Sequence, residues 1–390
     1  MKILIATESY YPNISGVAVF SHNLAKKMRK IGHQVFVIAP SANFREHREN
    51  VDGIKIFRLE SKKNKFRDGY FVSKFPFKKV ARIIEEVHPN VIHLQDPALI
   101  SMGALWKARK MKIPVVVTNH FSLEYIISYV PALKFINPLF LKIATKYLNW
   151  FYGKCNILTC PTKTVADRFL KSHIKTKVKV VSNGVDLSRF MPHYGDIDII
   201  RRNCHIPLNK KIVLYVGRID VDKNLITLIK SIPFVTKMLD AHFVIVGQGT
   251  EREKLKETIR KSKMKNHITF IDFIPYRDDL LPKIYQASTL FVNPCPTETQ
   301  SIVVLEAQAT GLPVIVARAG ALPELVKDGK NGFLFNPKDE KELAIKIVKV
   351  LNDKKLAKEM GEYGILAINK HIADKTYSQF EQIYKTISKA

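Results

Sequence analysis

The chain has 390 residues, 46% of them hydrophobic and 25% charged, which excludes a disordered polypeptide and is enough for two separate cores. Its four cysteines (Cys155, Cys160, Cys204 and Cys295) form no CxxC pair and no Cys/His metal spacing, so they read as reduced, mostly buried thiols of a cytosolic protein. A net charge of +28, from 63 Lys+Arg against 35 Asp+Glu, makes nucleic acid, anionic lipid and acidic substrates the candidate partners.

The excess is uneven: residues 1–190 carry 32 Lys+Arg against 12 Asp+Glu, and the remainder 31 against 23. A general lysine bias accounts for the second figure more easily than for the asymmetry. The apolar run after Lys2 stops at Thr7-Glu8, too short for the core of a signal peptide. No stretch reaches the roughly 18 uninterrupted apolar residues of a spanning helix.

In chain order, the apolar runs KILIAT, QVFVIAP, IKIFRL, NVIHLQ, PVVVTNH, NILTC and VKVVSN are separated by helical or irregular sequence. That rhythm predicts a mostly parallel, doubly wound sheet. Gly16 falls in the loop NISGVAVF after the first strand, ahead of a helix running to about Lys30. Asn183-Gly184-Val185-Asp186 leads into a polar stretch from Ser188 to Lys211, which sets the expected domains at 1–190 and 191–374. The second domain repeats the alternation with IVLYVGR, HFVIVGQG, HITFIDF, STLFVNP and PVIVAR. Gly247 and Gly249 form only a lone GxG, a weak dinucleotide signal that serves to turn the chain. Residues 340–390 read as lysine-rich helices.

The stretch FVNPCPTETQSIVVLEAQATGLP, Phe291 to Pro313, is the most informative. A strand breaks at Pro294 and Pro296, and a helix starts near Ser301 and ends at Gly311. The first amides of that helix, near Ser301 and Ile302, suit a phosphate. Glu298 in the loop and Glu306 inside the helix would repel phosphate, so they suit neutral hydroxyls. A nucleotide sugar supplies both. On spacing alone, a capping acid and a surface acid explain the pair equally well. Gly217-Arg218, with Lys223-Asn224 close behind, places two cations at the end of a strand, where open α/β sheets bind ligands.

Taken together, Glu298-x7-Glu306, Gly217-Arg218 and Lys223-Asn224 resemble the retaining GT-B glycosyltransferases of group 1, over essentially the whole chain. The resemblance implies two Rossmann-like doubly wound domains facing across a cleft, with the C-terminal helix (375–390) crossing back to the first. It implies that Arg218 and Lys223 neutralise the donor diphosphate, that Gly217, Ser301 and Ile302 meet phosphate, and that Gly16 lies at the nucleotide-sugar site. Glu306 is expected to bind the ribose and Glu298 the transferred sugar. Relatives often have glycine where this chain has Ser301. His120, beyond the strand PVVVT, is expected to support charge near the anomeric carbon, although a lone histidine there is more often structural. His93 and Asp96, in VIHLQDP, are open between acceptor contact and structure. No second carboxylate stands where a covalent nucleophile would be needed, in contrast to a glycosidase pair. Retention would then follow from same-face attack, with the leaving phosphate helping to deprotonate the acceptor.

The surroundings of IHLQDP and VTNHFSLEYIISYVP, together with ETQS at Glu298, resemble the branch of diacylglycerol glucosyltransferases and phosphatidylinositol mannosyltransferases. That implies a hexosyltransferase using UDP-glucose first or GDP-mannose second, with no obligatory metal or cofactor and a lipid acceptor at the inner membrane face. Two basic, aromatic segments fit a peripheral membrane contact. One runs from Asn137 to Gly153, with Lys142, Lys146, Tyr147, Trp150 and Phe151. The other comprises Lys62, Lys63, Lys65, Phe66, Arg67, Tyr70, Phe71, Lys74, Phe75, Phe77, Lys78 and Lys79. A lysine-faced core helix is the bland alternative for the first. A soluble or polyprenyl-linked glycan acceptor is the other enzymatic reading. A nucleic-acid-binding protein is the alternative from another class, but no helix-turn-helix, RNP or finger pattern supports it.

Overall fold

The structure is a computed structural model that describes residues 1–13, 15–64, 70–120, 122–123, 137–192, 195, 197–276 and 278–389. Lys65, Phe66 and Arg67 of the expected basic cluster lie outside the described residues. The chain divides into two compact units, Met1–Asn183 with Lys375–Ala390, and Gly184–Asp374.

Among the described residues, the strands of the first unit are β1 (Lys2–Ala6), β2 (Gln34–Pro40), β3 (His47–Val51), β4 (Ile54–Leu59), β5 (Ser61–Lys63), β6 (Phe71–Ser73), β7 (Val91–Leu94), β8 (Val115–Thr118), β9 (Ile157–Cys160) and β10 (Lys177–Val180). Eight of them form one sheet in the order β10-β9-β8-β7-β1-β2-β4-β3, and β5 and β6 form a separate hairpin. The sheet is parallel except for β3, which runs antiparallel to β4. Strands such as VIHL, VVVT and ILTC are buried along their whole length, so they read as continuous apolar runs. The polar strand β3, HRENV, pairs on one side only and carries no such run. Its absence from the expected strands follows from that exposure.

The second unit contains β11 (Lys211–Val216), β12 (Ala241–Val246), β13 (Ile268–Ile271), β14 (Leu290–Asn293), β15 (Val314–Ala317) and β16 (Gly332–Phe335). Their order is β13-β12-β11-β14-β15-β16, with each neighbouring pair parallel. The chain winds outward from β11 through β12 to β13, then returns to β11's other side as β14. This reversal opens a crevice beyond the carboxyl ends of β11 and β14, the topological switch point where such sheets bind ligands. In the first unit the same reversal falls between β1 and β7.

The C-terminal helix, Ala373–Ser388, packs through Phe380 and Tyr384, both fully buried. The Tyr384 hydroxyl lies 2.6 Å from His93 Nδ1, and His93 Nε2 lies 2.7 Å from the Thr118 hydroxyl. Thr118 in turn meets Thr159 at 2.6 Å, so a buried polar chain ties β7, β8 and β9 to this helix. Burial, with His120 nearby, holds the His93 pKa well below the usual histidine value, so the ring is neutral. His93 is therefore a structural anchor. Tyr384→Phe removes its Nδ1 partner and should cost about 1–3 kcal/mol, read as a lower urea midpoint at unchanged m-value; an unshifted midpoint would show that the bond carries no stability.

Candidate active site

The crevice of the second unit is lined by two loops, one from each strand flanking the reversal. The first leaves β11 at Gly217, whose φ of +149° lies where only glycine is at ease. A Cβ there would meet the Tyr215 hydroxyl at 2.9 Å. Arg218 follows, and its guanidinium is gripped by Asp220 and by Asp222, the latter at 3.0 Å from Nη2. A single 3-10 turn, Val221–Lys223, ends at the left-handed Asn224 and turns Lys223 toward the second loop.

The second loop leaves β14 at Asn293 and contains Cys295 and Glu298. Lys223 Nζ donates to Glu298 Oε1 at 2.7 Å and stands 3.7 Å from Asp222. Burial alone would lower the Lys223 pKa, but the neighbouring carboxylates of Glu298 and Asp222 hold it well above the usual lysine value. The ammonium is thus permanently charged. Burial pushes the Cys295 thiol up to about 12, so it stays protonated beside Lys223. The Glu298 carbonyl accepts from Ala321 N at 2.9 Å, and a Cβ on Gly320 would approach that carbonyl to 2.6 Å. Close backbone packing therefore fixes the position of Glu298.

Ser301 opens the helix Ile302–Ala309 at φ +101°, a region that penalises side chains and favours glycine. Asn293 Nδ2 donates to the Ser301 hydroxyl at 2.9 Å and holds it there. The first amides of the helix, from Ile302 on, have no partner within it. Glu306 lies one face further in, 2% exposed, and accepts from the Tyr285 hydroxyl at 2.8 Å. Burial raises its pKa to about 8, so it is largely a neutral acid at pH 7.

Arg218, Lys223 and Glu298 thus form one contiguous set. Glu306 belongs to a separate contact with Tyr285. Gly16 and His120 lie in the first unit. Gly16 is the exposed first residue of the helix Gly16–Lys30, behind the Ser15 cap. His120 Nε2 sits 2.8 Å from Gln95 Oε1, its ring 5.0 Å from that of Phe20, and burial lowers its pKa to about 3. Asp96 accepts from Thr7, Glu8 N, Ala98 N and Ser101. Burial and the charge of Asp96 push Glu8 up to about 7. Sequence reading passed over Asp220, Asp222, Tyr285 and Glu8. The first two were legible in R-I-D-V-D-K as acids interleaved with cations; Tyr285 and Glu8 carry no motif. Among the described residues, no group of three or more His, Cys, Asp or Glu could hold a metal ion, and no helix is long and apolar enough to cross a membrane.

Two Rossmann-like α/β units, one with cations and acids at its switch point, define a glycosyltransferase of GT-B fold. Residues 196–366 match the family model "Glycosyl transferases group 1", and residues 14–189 match "Glycosyltransferase Family 4". An alpha-monoglucosyldiacylglycerol synthase of Acholeplasma laidlawii is 27% identical over 388 residues, 97% of this chain and 94% of the relative. A GDP-mannose-dependent alpha-mannosyltransferase of Corynebacterium glutamicum is 28% identical, covering 88% of this chain and 78% of its own length. Two solved structures share the fold. Anabaena Alr3699/HepE in complex with UDP-glucose has a TM-score of 0.79 at 20% identity, over 99% of this chain and 100% of its own. The catalytic domain of Arabidopsis thaliana starch synthase IV, bound to ADP and acarbose, has a TM-score of 0.72 at 16% identity, over 100% and 99%. Each half of the chain thus matches a glycosyltransferase family model, and the chain is a nucleotide-sugar-dependent hexosyltransferase of GT-B fold, related to diacylglycerol glucosyltransferases and mannosyltransferases.

Two of the raised carboxyl pKa values, those of Glu306 and Glu8, fix a sign for stability against pH. Glu306 and Glu8 ionise near 4.5 when unfolded but hold their protons to about 8 and about 7 when folded. The native state therefore binds more protons in that window, and stability falls as pH rises through it. Thermal melts from pH 4.5 to 8 should show Glu306→Gln gaining on the wild type as pH rises; parallel curves would mean that Glu306 ionises normally.

Proposed function

We propose that the chain is a retaining hexosyltransferase that moves a glucose- or mannose-type sugar from UDP- or GDP-sugar to a hydroxyl of an acceptor glycan, soluble or polyprenyl-linked. The observation that carries the donor half is the 2.7 Å pairing of Lys223 with Glu298, beside the clamped Arg218, at the switch point. Arg218 and Lys223 take the diphosphate and stabilise the leaving oxygen as charge develops on it. The backbone at Gly217, Ser301 and Ile302 lets phosphate approach. Glu298 binds hydroxyls of the transferred sugar. Glu306, a neutral acid backed by Tyr285, both donates and accepts, which suits the ribose diol. To His120, neutral and oriented by Gln95, falls the role of supporting charge near the anomeric carbon, and to Gly16 a place in the nucleotide-sugar site, as the family resemblance implies. No residue is assigned as a covalent nucleophile. The departing phosphate takes the acceptor proton.

A polyol acceptor suits the first unit's sheet edge, where Glu8, Gln95, Asp96, Asn119 and His120 crowd the ends of β1, β7 and β8. It also accords with the carbohydrate ligand of the starch synthase neighbour. A second reading, a diacylglycerol-type acceptor, is favoured by the helix Asn137–Tyr152. Leu139, Ile143 and Trp150 are 62%, 59% and 51% exposed there, beside exposed Lys142 and Lys146. Phe75 is 89% exposed among Lys74 and Lys78. The lipid product in the Acholeplasma relative's name points the same way. On that reading the protein sits peripherally on anionic lipid at the cytoplasmic face of the membrane.

One assay separates these readings. Transfer from UDP-glucose and GDP-mannose is measured with oligosaccharide or with diacylglycerol in anionic vesicles. Arg218→Ala, Lys223→Ala and Glu298→Ala should each cost about 10²–10³ in turnover with the fold intact. Full activity in all three would remove the donor site. Activity confined to vesicles and lost with salt selects the lipid; activity on oligosaccharide, indifferent to vesicles, selects the glycan.

A further inference from the structure

Two cations side by side repel each other, and a flexible arginine or lysine holds no fixed aim without a partner. In the R-I-D-V-D-K loop the acids supply that partner. We propose that Asp222, aided by Asp220, is a positioning residue for hexosyl transfer: it fixes the Arg218 guanidinium and the Lys223 ammonium in one shared orientation before the donor arrives. The inference rests on the donor reading above and adds residues that touch the cations instead of the sugar nucleotide.

Asp222 has a side chain only 1% exposed, and a single oxygen, Oδ2, serves both cations: Arg218 Nη2 at 3.0 Å and Lys223 Nζ at 3.7 Å. The spacing of the two positive groups is therefore set by one atom. The backbone that carries this carboxylate is itself held, because the main-chain carbonyl of Asp222 accepts from Cys295 Sγ at 3.2 Å and so is tied to the Glu298 loop. Asp220 completes the clamp. Its Oδ2 takes Arg218 Nη1, while its Oδ1 accepts from Thr250 N at 2.9 Å and from the Thr250 hydroxyl at 3.1 Å. The Arg218 carbonyl is held by the Tyr215 hydroxyl at 2.7 Å. Arg218 is fixed at both ends of its residue.

A carboxylate in this place has two opposed effects on an anionic ligand. Its charge weakens the pull of the cations, and its geometry aims them. Exchanging it for the isosteric amide makes the site more positive and less ordered. Binding of a nucleoside diphosphate should survive, whereas turnover, which depends on aim at the transition state, should fall. A merely structural acid behaves otherwise, since its loss lowers binding and turnover together with the folded fraction.

The test is Asp222→Asn in the full chain, assayed with UDP-glucose and GDP-mannose, with UDP and GDP binding by calorimetry and a thermal melt. The expected result is kcat down about 10- to 100-fold, with nucleotide affinity held or tightened, and partial recovery of kcat in Asp222→Glu. Unchanged kcat overturns the proposal, as does a joint fall of kcat, affinity and melting temperature. Should Asp222→Asn not fold, Asp220→Asn carries the same expectation and the same refutation. A wild type that binds neither nucleotide and uses neither donor refutes the donor reading itself, which is a different result from a silent Asp222.

Discussion

The site depends on charge held apart from solvent at one end of a sheet. Arg218 and Lys223 are mostly buried, and each is matched by acids drawn from its own loop or the next: Asp220, Asp222 and Glu298. Buried charges are tolerable only when paired and hydrogen-bonded. The pairing therefore keeps two cations in a place where, without it, desolvation would disfavour their charge. The anion they suit must displace or share those acids. In the proposed donor complex a diphosphate carries enough charge to do so, and the sugars on either side of it would give the acids new hydroxyl partners.

Topology decides where this can happen. Because β14 returns beside β11 after the excursion to β13, loops separated by some eighty residues in sequence meet at adjacent strand ends. Neither loop makes a site alone. The Gly217–Asn224 loop brings the cations and most of their counter-charge. The Pro294–Ser301 loop brings Glu298 and the start of the helix whose first amides point outward. Glycine is needed where backbone passes close to backbone: a Cβ on Gly247 would stand 1.9 Å from the Gly217 carbonyl.

The sequence was legible wherever burial wrote a continuous apolar run or a turn demanded a special residue. The parallel strands VIHL, VVVT and AHFVIV could be read because both faces are covered, and β3 could not because one edge is wet. The short GFLF strand was also passed over; its four residues follow Asn331 directly and announce themselves by no length. At the site, Arg218, Lys223 and Glu298 were visible through spacing and resemblance. Asp220 and Asp222 were in plain view but look like solvated surface acids until the fold turns them inward. The Tyr285 partner of Glu306, 21 residues away on another helix, leaves no local trace. Nor does the Tyr384–His93 bond, whose partners are 291 residues apart.

The acid on the helix illustrates why motif and chemistry differ. Glu298 and Glu306 are spaced as a pair, yet one is an ion locked to a lysine and the other a carboxyl pushed up to about 8 by burial. Environment, not identity, separates an ionic partner from a neutral donor-acceptor. A crystal structure with UDP bound is the most direct test of the charge arrangement. The diphosphate should lie within hydrogen-bond distance of both Arg218 and Lys223 Nζ, with a helix amide near Ile302 on the same phosphate and the ribose on Glu306. Nucleotide bound elsewhere, with Lys223 and Glu298 still paired only to each other, would contradict it.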